Sequence, residues 1–170
     1  MGALEYVIFD VETTGMKPEE GHAVVELAAE RVAEGGSVLD TFESIVNPGR
    51  KVDAEAAAIH GITDEVIRKE GRPLIEVVPA FVLFSEGATL VAHNIQFDLS
   101  FVNHHLRTLG LPPLSNPLVD TIDLAKRKVR VASYSLAYLA RHFAIPQPKA
   151  HRALADVEVT RQLLFKLLAM

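Results

Sequence analysis

The chain has no cysteine. Disulfides, thiolate zinc sites and cysteine nucleophiles are thereby excluded, and a thiol-free chain fits a reducing, cytoplasmic setting. Long apolar runs are missing too: the longest, Leu74 to Phe84, is broken by Glu76 and Pro79 and is too short to cross a bilayer. The start, Met1 to Tyr6, carries no basic n-region, and Tyr6 stands where a myristoylation signal needs Ser or Thr. No membrane attachment is expected. Positive charge is also scarce. With 17 Lys and Arg against 22 Asp and Glu, the net charge is −5; this argues against a protein that coats nucleic acid by bulk electrostatics and leaves room for an enzyme acting on it. The one basic cluster, Lys126, Arg127, Lys128 and Arg130, suits either a phosphate backbone or a solvated helix C-terminus. Repeats, low-complexity tracts and interdomain linkers are absent, so the 170 residues, 49% of them hydrophobic, are expected to form a single domain over 1–170.

What is present starts with Tyr6-Val7-Ile8-Phe9-Asp10-Val11-Glu12-Thr13-Thr14-Gly15, an apolar strand ending in two acids one residue apart. Side chains alternate along a strand, so Asp10 and Glu12 share a face about 7 Å apart. Two crowded carboxylates call for a hard cation, and oxygen ligands suit Mg²⁺ or Mn²⁺.

Val24 to Val32 and Val38 to Val46, joined through Glu34-Gly35-Gly36-Ser37, read as a hairpin that continues the first strand into a meander. Short helices are expected over Asp53 to Ile59 and from Thr63-Asp64. A packing helix starts at Pro73, its Leu74, Val77, Val78, Phe81 and Val82 at helical spacing. Ala88 to Ala92, a short loop, and a helix carrying Leu99, Val102 and Leu106 make an α/β step. Gly110 to Pro117 is a loop, Leu118 to Asp120 a last strand, and Thr121 begins a helix holding the basic cluster. Ser133 is placed to cap a helix over Tyr134 to Phe143, and a final helix runs from about Arg152 to Leu168. A meander followed by strand and helix alternation implies an α/β fold: a mixed sheet of about five strands with helices on both faces.

Two more carboxylates complete the candidate site. Asp98 opens a helix just past a strand, where α/β sheets place ligands, and Asp156 lies early in the last helix. Asp120 also ends a strand and competes, with a helix-start acid as its plainer reading. Five helical residues turn the chain by about 500°, so His151 and Asp156 cannot both face one metal. Asp156 is thus cast as a fixed ligand and His151, beside the Pro146 to Ala150 loop, as a mobile general base, histidine being the side chain that most readily exchanges a proton near neutral pH.

Phe9-Asp10-Val11-Glu12-Thr13-Thr14-Gly15, Ile59-His60-Gly61-Ile62, His93-Asn94-x-x-Phe97-Asp98 and His151-Arg152-Ala153-Leu154-Ala155-Asp156 resemble, in order and spacing, the motifs of the DnaQ-like 3′ to 5′ exonucleases. The resemblance is strongest to the proofreading epsilon subunit of bacterial DNA polymerase III and to the exonuclease domain of PolC. It covers essentially the whole chain, and His151 at the base position places it in the DEDDh branch. The resemblance implies a ribonuclease H-like sheet and two divalent metal ions, Mg²⁺ or Mn²⁺, held by Asp10, Glu12, Asp98 and Asp156. It also implies hydrolysis at the 3′ end of single-stranded or frayed DNA to nucleoside monophosphates, in proofreading or repair. Thr13, Glu55, Ala56, His60 and Phe97 fall where such enzymes contact the terminal nucleotide, with Phe97 or Met16 wedged against the last base. An RNA exonuclease of the RNase T or oligoribonuclease kind shares the same chemistry, and a non-catalytic nucleic-acid-binding module would share the fold. Proofreading subunits of this kind carry a further C-terminal segment that binds the polymerase, and this sequence ends at Met170 after its last helix, which weighs against the polymerase or sliding-clamp partner that the resemblance otherwise implies. Gln162 to Phe165 faintly resembles a clamp-binding peptide, although Leu163, Leu164 and Phe165 read first as core.

Overall fold

The computed structural model describes residues 4–147 and 151–170. Strands β1 (Glu5–Thr13), β2 (Val24–Ala33) and β3 (Val38–Asn47) form an antiparallel meander. Short helices α1 (Ala54–His60) and α2 (Asp64–Glu70) follow, then a two-residue strand β4 (Arg72–Pro73) and helix α3 (Leu74–Phe84). The α/β half comprises β5 (Thr89–Ala92), α4 (Ile95–Thr108), β6 (Leu118–Asp120), α5 (Thr121–Lys128), α6 (Leu136–His142) and α7 (Ala153–Leu168). The sheet order is β4-β3-β2-β1-β5-β6, with β5 and β6 parallel to β1. This is the mixed, helix-flanked sheet that the alternation implied, with β4 as a sixth, minimal edge strand.

Strand β1 sorts its residues by parity. Val7, Phe9 and Val11 enter one core with Val77 and Phe81 of α3 and Phe101, Val102 and Leu106 of α4. Ile8 enters the other, against Ala153, Val157 and Leu164 of α7. Both cores therefore close on the same strand from opposite sides. Helices α5 and α6 extend the second side, packing Ala125, Leu139 and Ala140 against Val159, Leu163 and Leu167 of α7.

Element boundaries differ from the sequence reading by one or two residues, and at two of them the structure shows why. Pro73 is extended (φ −57°, ψ 136°) and pairs with Asn47 of β3, so α3 begins one residue later; a proline suits such an edge strand because it lacks an amide donor. Helix α6 is capped by Ser135, whose hydroxyl accepts the Tyr138 N–H at 3.3 Å, and not by Ser133. The Tyr134 carbonyl is taken instead by His93 Nε2 at 2.9 Å, which keeps Tyr134 out of the helix. Leu163 and Leu164 are fully buried and Phe165 packs its ring on Tyr6, so this stretch is core and offers no peptide to a clamp. No helix among the described residues is long and apolar enough to cross a membrane.

Candidate active site

The face of β1 that buries Ile8 against α7 continues, two and four residues on, as Asp10 and Glu12. Helix α7 packs Ala153 and Val157 on that face and carries Asp156 between them. One carboxylate oxygen from each of Asp10, Glu12 and Asp156 lies within 4.8 Å of the others. Asp98 reaches the site from the opposite face. Pairing of β1 with β5 ends at Ile8 and Val91, which leaves the Val11 amide without a strand partner; Asp98 Oδ1 accepts it at 3.0 Å. Asp98 thus stands at the edge of the three-acid cluster, 2% exposed.

The electrostatics follow from crowding. Burial pushes the Asp10 carboxyl well above the usual carboxylate range, and Asp98, Glu12, Asp156 and Glu26 add repulsion. Glu12 rises to about 8 by burial and by the charges of Asp156, Glu26 and Asp98, with Arg152 opposing. Asp98 also rises to about 8 by burial, against the stabilising Val11 amide. Asp156 is raised by burial and partly restored by His151. Four carboxyls held above the ordinary carboxylate range fit a site built to ionise against cations. The donors are oxygen only, which suits Mg²⁺ or Mn²⁺ and fits a thiolate-binding metal poorly.

His151 stands just before α7 with left-handed backbone (φ 62°), its N–H donated to Asp156 Oδ2 at 3.2 Å. Its loop neighbours Pro148 to Ala150 lie outside the described residues. The residue that anchors this corner was not singled out from the sequence. Glu26 of β2, opposite Glu12 in the ladder and fully buried, accepts Arg152 Nη2 at 2.9 Å, Arg152 Nε at 3.2 Å and the Ala153 amide at 3.1 Å. Arg152 supplies no side-chain cap to α7, so Glu26 caps the helix from another strand. A signal existed: Glu26 interrupts Val24-Val25-x-Leu27-Ala28-Ala29, an otherwise apolar run.

Beside Glu12 opens a cavity of about 400 Å³ whose walls include Thr13, Glu55, Ala56, His60 and Phe97, all five residues carried over from the resemblance, with Met16 at its rim. Their availability differs. Thr13 Oγ1 donates to Gly15 O at 2.6 Å. His60 Nδ1 accepts the Ile62 N–H and its Nε2 lies 3.1 Å from the Thr13 carbonyl, so both ring nitrogens are engaged. His60 offers the cavity a ring face and positions Thr13. Phe97 packs one side on Phe101 (5.2 Å between ring centroids) and turns the rest to the cavity. Glu55 and Met16 are exposed.

Asp120 is not in the cluster. Its carboxylate accepts the amides of Asn94, Ile95 and Ile122 at 3.2, 3.0 and 2.8 Å, starting α4 and α5 together, which is the helix-start role. Asn94, in left-handed conformation (φ 72°), organises the loop ahead of Asp98. His22, left unassigned by sequence, packs its ring on Gly15, where a Cβ would lie 2.4 Å from the imidazole; this fixes glycine at that turn.

A mixed sheet whose strand and helix ends converge acidic side chains beside a nucleotide-sized cavity defines a nuclease fold, and the chain belongs to the exonuclease family of RNase T, whose profile matches residues 7–164. Among its relatives are the PolC-type DNA polymerase III of Lactococcus lactis, 37% identical over 94% of this chain, and a DNA polymerase III subunit epsilon-like protein of Rhodobacter capsulatus, 37% identical over 97%. The chain spans only 10% and 24% of those two proteins. Among solved structures, exonuclease X in complex with 5′ overhanging duplex DNA aligns with a TM-score of 0.76 at 27% identity, covering 96% of this chain and 91% of that one. Escherichia coli exonuclease I in complex with a dT13 oligonucleotide shares the fold, with a TM-score of 0.84 at 21% identity over 98% of this chain and 41% of its own.

Proposed function

We propose that this chain is a metal-dependent 3′ to 5′ exonuclease that removes nucleoside monophosphates from single-stranded or frayed DNA, serving proofreading or repair in the cytoplasm. The observation that carries the reading is the convergence of Asp10, Glu12 and Asp156 within 4.8 Å beside a cavity the size of one nucleotide. Residues 1–170 act as one exonuclease domain. Asp10, Glu12, Asp98 and Asp156 would hold two divalent cations, which when bound would supply the charge that polarises the scissile phosphate and lowers the pKa of the attacking water. The His151 imidazole takes the proton of that water as its oxygen bonds to phosphorus; the bond from phosphorus to the leaving 3′ oxygen breaks, and that oxygen takes a proton from solvent to become the new 3′-hydroxyl. The cavity beside Glu12 orients the terminal nucleotide, with Phe97 and Met16 offering its base an apolar, sequence-tolerant surface.

A product ladder from 5′-labelled single-stranded DNA and matched RNA, with Mn²⁺, Mg²⁺ or EDTA, tests the proposal. The expected result is a ladder shortening from the 3′ end, with metal only and faster on DNA. RNA preference would replace the substrate in this reading with that of an RNase T-like enzyme. Folded protein that cleaves neither would leave a binding module.

A further inference from the structure

The charge of the chain is segregated along its length. Between Asp123 and Asp156 there is no acidic residue, while Lys126, Arg127, Lys128, Arg130, Arg141, Lys149 and Arg152 supply seven of the 17 cations. The other cations share the chain with all 22 acids. Elsewhere six of the ten cations, Lys17, Arg31, Arg50, Lys69, Arg72 and Arg161, sit against a carboxylate, and within the segment Arg152 pairs with Glu26. Among the described residues, Lys126, Arg127, Lys128, Arg130 and Arg141 are exposed and none makes a salt bridge.

This segment leaves the sheet at Asp120, at the same strand ends that carry the acidic site, and returns to it at His151. It is stitched to the site's edge midway. His93, directly after β5, bridges Thr121 Oγ1 (2.8 Å) and the Tyr134 carbonyl (2.9 Å), and Lys126 Nζ lies 5.9 Å from the centre of the Tyr134 ring. Arg141 sits 6.0 Å from the Tyr138 ring. Exposed cations interleaved with tyrosines form the footprint of a surface that holds a phosphodiester backbone and offers ring faces to unstacked bases. The acids nearest in sequence do not neutralise it: Asp120 is spent on three amides, and Asp123 stands in the first turn of α5 while the lysines and arginine occupy its last.

We propose that the α5–α6 face is a docking surface for the nucleic-acid strand upstream of the nucleotide being removed, reading its phosphates and not its bases. The inference rests on the nuclease reading and adds to it the path of the strand. It also resolves how a chain of net charge −5, with four crowded carboxylates at its centre, takes hold of a polyanion: five exposed, unpaired cations are concentrated on one acid-poor segment, whereas the exposed cations elsewhere that make no salt bridge among the described residues, Lys51, Arg68, Arg107 and Lys166, are scattered along the chain.

The test is the variant Lys126→Gln, Arg127→Gln, Lys128→Gln, Arg130→Gln. Glutamine preserves helix propensity, and all four positions are exposed, so the fold is retained. Binding of a labelled oligonucleotide of about 15 nucleotides, the span of a single-strand groove, and its RNA counterpart is measured by anisotropy across a salt series, with Ca²⁺ in place of the catalytic metal. Each phosphate that the variant no longer neutralises lowers the slope of log K against log salt by about 0.7. The expected result is a slope reduced by about two to three, equally for DNA and RNA, and affinity at least about tenfold weaker. Hydrolysis of a p-nitrophenyl ester of thymidine monophosphate, which has no upstream strand, stays at the wild-type rate. An unchanged slope in the variant overturns the inference, as does a surface that binds polyglutamate and ignores the oligonucleotide. Wild-type protein that binds oligonucleotides through this face yet hydrolyses neither ester nor DNA would sink the nuclease reading and leave the docking surface standing.

Discussion

Replacing Glu26 should disturb turnover more than its distance from any substrate suggests. The carboxylate is fully buried and accepts three hydrogen bonds, two from Arg152 and one from the Ala153 amide. Glu26→Ala leaves the Ala153 amide bare and an arginine without its partner. Breaking a buried ion pair costs about 3–5 kcal/mol. Two features pull the figure toward the lower end. Arg152 is 43% exposed and can return its guanidinium to water, and loss of Glu26 relieves repulsion on Asp10, Glu12 and Asp156. Glu26→Gln keeps shape and an acceptor, so about 1–2 kcal/mol is expected, the worth of charge-assisted over neutral hydrogen bonds. Because the bonds end on the two residues after His151, loosening them releases the proposed base while Asp156 stays on its helix. Urea denaturation and steady-state kinetics read both effects: kcat should fall about tenfold or more in Glu26→Gln, with KM little changed. In a His151→Ala background the same substitution should cost almost nothing further, as expected for groups acting as a unit. Glu26→Ala within about 1 kcal/mol of wild type, or full additivity with His151→Ala, would refute the reasoning.

Asp98→Asn should abolish cleavage while the metal-free fold at pH 8 stays as stable or gains, since the amide oxygen still accepts Val11 N–H and a repelling charge is gone; marked unfolding in a thermal melt would make Asp98 a structural residue. His151→Ala should bind Mn²⁺ nearly as wild type by calorimetry yet lose about 10²-fold or more in kcat. Metal-free stability should fall as pH rises. Glu12 and Asp98 titrate near 8 when folded and near 4 unfolded, so the native state holds extra protons between; the stability is complete below about pH 4 and lost as pH rises through about 8. Added Mn²⁺ should raise Tm more at pH 8 than at pH 6, and a flat metal-free profile would contradict the crowded-acid picture. Gly15→Ala should cost about 1–3 kcal/mol through its clash with His22, and His22→Ala should recover most of that in a double-mutant cycle.

Local pattern carried the architecture well where periodicity and turn chemistry agreed. Parity along β1 placed Asp10 and Glu12 on one face, and the step from β5 into α4 placed Asp98 at a strand edge. Other features needed the third dimension. Glu26 faces Glu12 only because a hairpin sets the register, and its partner Arg152 is 126 residues away. His60 reads as a nucleotide contact by motif, yet both its nitrogens are spent on backbone groups. Ser133 and Ser135 are equivalent caps by composition, and the choice between them is made by His93, which takes the Tyr134 carbonyl from 41 residues upstream. The resemblance supplied the five cavity residues; nothing local distinguishes Glu55 or Ala56 from any other helix surface.

Asp10, Glu12, Asp98 and Asp156 sit on a strand and on two helices clamped to opposite sides of the same sheet, whereas His151 sits on a lone left-handed residue outside any regular element. The molecule thus separates an anvil from a hammer. Its anionic pocket shares the slow motions of two hydrophobic cores, so exchange of its hydrogens should be among the slowest in the chain. His151, tethered by one backbone hydrogen bond to Asp156, lies outside both cores, and its amide should exchange faster than those of the strand and helices that carry the acids.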